Sequence, residues 1–131
     1  MKLRLNLALA ATALSLLAIP VPSHAATATA AAAAKPASVT GEVIDSACYI
    51  KSGAKGADHI KCAQACADSG IPLAILEDGT NKVVWVASKK DMETPNDQLK
   101  PYAGKKVKVT GTWAERGGAK LLVVESVAPA A

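Results

Sequence analysis

An alternating run and an apolar run joined by Arg116-Gly117-Gly118-Ala119 constrain this chain more than any other feature. In residues 105–115, Val107, Val109, Gly111 and Trp113 fall on one side of an extended chain. Lys106, Lys108, Thr110 and Thr112 fall on the other. Such period-two alternation describes a strand with one buried and one wet face. Residues 120–127 form a second apolar run, and the paired glycines supply the positive φ that a tight hairpin requires. A chain with this ending is committed to an antiparallel sheet.

The rest of the folded part follows the same logic. Residues 38–45 alternate, with Val39 and Val43 on one face, and read as a first strand. Residues 46–57 are rich in small residues and read as a loop carrying Cys48. Asp58 reads as an N-cap for a helix running to Ser69, with Gly70 and Pro72 stopping it. Residues 71–77 read as strand two and the apolar run 82–88 as a central strand three. Thr94-Pro95 marks a short helical turn through Leu99.

The N-terminus is predicted to be an export signal. Lys2 and Arg4 precede an apolar run over residues 5–19, and Ser23-His24-Ala25 is a small-x-small cleavage site. The run is shorter than the ~20 residues a membrane span needs, and Pro20 and Pro22 end it. The expectation is a periplasmic or secreted protein with residues 1–25 removed and no stable membrane anchor left. Residues 26–37 are Ala-rich and of low complexity, and are expected to be a disordered spacer. They also inflate the 50% hydrophobic content. The domain is then residues 38–128, about 90 residues, small enough to benefit from a staple or a metal.

Cleavage changes the charge argument. The chain has 15 basic residues against 11 acidic, a formal charge of +4, and the signal holds two of the basic ones and no acidic one. The mature chain carries +2, which gives no reason to expect nucleic acid. Trp85 and Trp113 lie at apolar-face positions and are expected in the core, not on a base-stacking surface.

The entry to strand four, Leu99-Lys100-Pro101-Tyr102-Ala103-Gly104-Lys105-Lys106-Val107-Lys108-Val109-Thr110-Gly111-Thr112, resembles that of small exported bacterial OB-fold proteins. They share a Tyr-x-Gly-Lys-x-Val-x-Val-x-Gly run, then a Gly hairpin and an apolar strand. The resemblance covers residues 39–42 and 82–127. It implies a mainly β fold: a small OB-fold-like five-stranded barrel with one Cys-bearing helix inserted between strands one and two. The insertion, residues 46–70, departs from the plain pattern and is similar to the cysteine-containing insertion of such proteins. The fold names no substrate.

The insertion holds the chemistry. Cys48, His59, Cys62 and Cys66 fall within 19 residues, and after cleavage they are all the cysteines and the only histidine. Positions 59, 62 and 66 share one helical face. A Cys₃His set suits zinc, and thiolates with an imidazole suit copper(I). The helix N-terminus would favour Cys62 as thiolate. No Cys-x-x-Cys-His is present, so covalent haem is not indicated. Two other readings stay open. Cys48 could bridge to Cys62 or Cys66 and staple the insertion of an interaction module with an unidentified periplasmic partner. Closing a loop of about 15–19 residues is worth roughly 3 kcal/mol. Alternatively, Cys62 or Cys66 could be the nucleophile of a thiol redox protein. A Cys–His hydrolase would need Asp45 or Asp58 to orient His59, and no cleft for it is readable.

Overall fold

The computed structural model describes residues 35–130. The expected signal peptide and most of the spacer lie outside them. The chain is mainly β. Its elements are β1 (Pro36–Asp45), α1 (Ser46–Ser52), a 3₁₀ turn (Ala57–His59), α2 (Ile60–Asp68), β2 (Leu73–Glu77), β3 (Val83–Val84), β4 (Val86–Ser88), α3 (Asn96–Leu99), a second 3₁₀ turn (Lys100–Tyr102), β5 (Lys106–Arg116) and β6 (Ala119–Pro129). Pro36 and Ala37, expected in the spacer, pair with Thr112 and Gly111 and belong to β1.

The strands form one six-stranded sheet in the order β3-β2-β1-β5-β6-β4. All neighbours are antiparallel except β4 and β6, which run parallel. The β5–β6 hairpin turns on Gly117 (φ 59°) and Gly118 (φ 80°), as the sequence predicts. Val107 and Val109 are buried while Lys106 and Lys108 are exposed, so the alternation of β5 is observed.

One face of the sheet carries the main core, where Val39, Val43, Leu73, Ile75, Val107, Val109, Leu122 and Val124 pack with Leu99 from α3. Ala67 of α2 joins this cluster, its small side chain letting the helix approach closely. The other face is covered locally by α1, where Tyr49 packs on Ile44, Ala74 and Leu76. That explains why Val43, Ile44 and Asp45 are buried in succession, although the strand alternates before them.

The structure differs from the sequence reading at three places. Residues 46–57 are not a loop throughout, because α1 occupies Ser46–Ser52. Asp45 ends the strand and caps this helix, its Oδ1 accepting from Ala47 N (2.9 Å) and Cys48 N (3.2 Å). Gly53, at φ 72°, ends it. The insertion therefore holds two helices, and Cys48 sits on one of them. Next, Asp58 does not cap α2; it lies in the 3₁₀ turn, which starts after Gly56 and has no side-chain cap. Finally, strand three is not central. It breaks at Trp85 into β3 and β4, which stand at opposite ends of the strand order. Trp85 is 43% exposed, not buried, because the break turns it out of the pleat while its carbonyl accepts from Leu122 N at 2.9 Å. Trp113 is half-buried against the core, with the Lys120 Nζ 4.2 Å from its ring centroid.

Gly104 is where the insertion docks. It has φ 69°, and a Cβ there would lie 2.7 Å from both the Gly56 carbonyl oxygen and the Ile60 side chain. Its N–H donates to Val43 O at 2.8 Å. Gly104→Ala combines left-handed strain with a backbone clash, and is expected to cost about 2–4 kcal/mol. Urea unfolding of the two proteins measures it; a loss under about 0.5 kcal/mol would show that the insertion yields freely at this contact.

Candidate metal centre

Four elements bring their donors into one region. Asp45 stands at the end of β1, Cys48 in the first turn of α1, and His59 at the end of the 3₁₀ turn. Cys62 and Cys66 follow one turn apart on α2. Ala63 and Ala67 bury the adjoining side of α2, and the cysteine face beside it meets Cys48 of α1. The C-terminal end of α2 is held by Asn96, whose Nδ2 donates to Ala67 O (3.2 Å) and Ile71 O (2.8 Å). Glu42 accepts from Gly56 N and so ties the loop between α1 and α2 to β1.

The structure brings Cys48, Cys62 and Cys66 together, their sulfurs within 4.8 Å of one another. Sulfurs on one tetrahedral zinc are about 3.7 Å apart, given Zn–S near 2.3 Å. At most about 1 Å of closing is needed, well within the reach of side-chain rotation. All three cysteines are free thiols, so the alternative of a Cys48 staple is not formed. His59 meets the cluster at Cys48, in a second group with Asp45 whose donor atoms also lie within 4.8 Å of one another.

Asp45 is the donor that the sequence reading missed as a ligand. Its signal was present in Asp45-Ser46-Ala47-Cys48, an aspartate three residues before a cysteine, which is cap spacing. Capping uses Oδ1 only. Oδ2 is buried and makes no hydrogen bond, and neither does the buried Nε2 of His59. Two orphaned buried atoms beside three thiols are what a site shaped around a cation would present.

The electrostatics agree with the geometry. Burial pushes the Asp45 carboxyl up. The Cys66 thiol, the Cys48 N–H and thiol, and the Ala47 N–H outweigh it, so the group is held below the ordinary aspartate value. Directed at that carboxylate, the thiols are held protonated. Cys66 is pushed up to about 12, first by its bond to Asp45, then by desolvation and the nearby charges. Cys48 is raised by the same bond, then by burial and the Asp45 charge.

The sign of the stability effect follows from linkage. A raised thiol pKa contributes stability that is complete below the unfolded value near 9.0 and is lost as pH rises toward about 12. The lowered Asp45 contributes stability present above 3.8 and lost as pH falls. The metal-free, reduced protein should therefore show a falling Tm above about pH 9, and Cys66→Ala should flatten that limb. An unchanged alkaline limb in Cys66→Ala would contradict it.

A cleft lined by Val43, Asp45, Lys55, Gly56, His59 and Gly104 adjoins the cluster, and it is too narrow for a small organic ligand. What the arrangement can do is bind a cation or exchange thiols. No protein-family profile, curated protein or solved structure matches this chain.

Proposed function

We propose that this chain is an exported metal-handling domain, in which Cys48, Cys62 and Cys66 supply thiolates to zinc or copper(I) and His59 completes the donor set. The observation that carries the reading is the convergence of three free thiols from two helices within 4.8 Å, beside two orphaned buried donors. Cys62 is exposed while its partners are half-buried, which suits delivery and removal of an ion by ligand exchange. Binding displaces protons from the thiols, so affinity rises with pH.

The export half of the proposal rests on residues 1–25. The barrel half rests on β3 and β4, which are one residue apart yet pair with opposite ends of the remaining strands. A sheet whose ends are that close in sequence is readily rolled into an OB-like barrel.

The test is to purify the mature chain from its own compartment without reductant, then record native mass, metal content and free thiols. At least one equivalent of metal is expected, with the thiols reactive only after chelation. A mass about 2 Da low, one free thiol and no metal uptake after reduction would overturn the reading in favour of a disulfide-stapled or thiol-redox protein.

A further inference from the structure

We propose that Asp45, Cys48 and His59 form a second cation position, joined to the three-thiol position through the Cys48 sulfur, so that the cluster takes two divalent ions of the zinc class. This rests on the metal-handling reading and extends it. The five donors fall into two overlapping groups of three, Cys48-Cys62-Cys66 and Asp45-Cys48-His59, with Cys48 in both. Five donors exceed the four places of a structural zinc. Divided as two triads with a shared thiolate, each ion keeps three protein ligands and an open place for water.

Asp45 supplies the independent argument. It is 0% exposed, its Oδ2 has no partner, and none of the four ion pairs among the described residues includes it. Two backbone N–H groups on Oδ1 favour the carboxylate, and a cation at this position would take the acceptor left free on Oδ2. His59 Nε2 is a second orphaned atom at the same place. Charge balance points the same way. Once bound metal has displaced the thiol protons, three thiolates and one carboxylate carry four negative charges, which two divalent ions neutralise. The two positions differ in softness. The first is all sulfur, whereas the second is mixed oxygen, sulfur and nitrogen, a set that suits zinc or cobalt(II) better than copper(I). At one equivalent His59 can serve the thiolate position; a second equivalent draws it, with Asp45, to its own.

The full chain, reduced and metal-free, is titrated with zinc and its stoichiometry read by native mass spectrometry. Wild type is expected to bind two equivalents. His59→Ala and Cys62→Ala should each bind one, by losing different positions. His59 makes no capping hydrogen bond, so its removal leaves α2 intact, which circular dichroism checks. With cobalt(II), the paramagnetic signal of the first equivalent should fall as the second enters, because a shared thiolate couples the two spins. One equivalent in wild type and in His59→Ala, lost in Cys62→Ala, would overturn the second position and leave the proposed function standing. No zinc in any form would overturn both. Two equivalents retained in His59→Ala, or two uncoupled cobalt ions, would place the second ion elsewhere and overturn the shared site.

Discussion

Cys48→Ser is expected to lower zinc affinity by more than about a hundredfold, the largest effect of any single substitution in the cluster. Loss of an outer partner of a metal ligand already costs 10–100-fold, and Cys48 is itself a donor common to both groups. Serine keeps the size of the side chain and the α1 backbone, so the Asp45 cap to residues 47 and 48 survives. What disappears is a thiolate, and a neutral hydroxyl is a poor substitute for it on zinc. Competition against a chromophoric chelator gives the ratio of affinities. An affinity within threefold of wild type would remove Cys48 from the site, and with it the reason for joining α1 to α2.

Asn96→Ala should have the largest effect on stability, about 3–5 kcal/mol. Asn96 is 2% exposed. Its Oδ1 accepts from Leu73 N at 3.0 Å, and its Nδ2 donates to Ala67 O and Ile71 O. One side chain from α3 thus satisfies three backbone groups where α2 ends and β2 begins. Alanine leaves Leu73 N and Ile71 O without that partner, at about 1–3 kcal/mol each before relaxation, while Ala67 O keeps the Gly70 N–H at 3.0 Å. Small domains have only about 5–15 kcal/mol in total, so the variant would be partly unfolded at 37 °C. Denaturant titration measures the loss. A cost below about 1 kcal/mol would mean that water replaces the amide, and the junction would then be more open than the packing indicates.

The strands were legible because their faces differ. Val107 and Val109 against Lys106 and Lys108 leave one register for β5, and Gly117-Gly118 leaves one turn. The helix carrying Cys62 and Cys66 was legible for a similar reason, with Gly70 and Pro72 behind it. Helix α1 was not. Its seven residues have no apolar period, and its cap is the last residue of a strand, so Asp45 read as strand and Ser46 as loop. The carboxylate of the site was concealed with it, because the cap spacing of Asp45 and Cys48 runs across the end of a strand. Trp85 misled for the opposite reason. Its neighbours are all apolar, and nothing in Val83-Val84-Trp85-Val86 marks the break that turns the indole outward.

That break bears on how the sheet ends. A folded sheet is most open to sticking through long unpaired strand edges. Here the two eleven-residue strands are neighbours, and β1 is flanked on both sides. The end strands are only two and three residues long. At β3 and β4 a second chain would find footholds of only two and three residues, and the longer open edge is the part of β6 outside Leu122–Val124. Dividing strand three at Trp85 therefore leaves two stubs in place of one long strand at the ends of the sheet, separate from anything the thiols do.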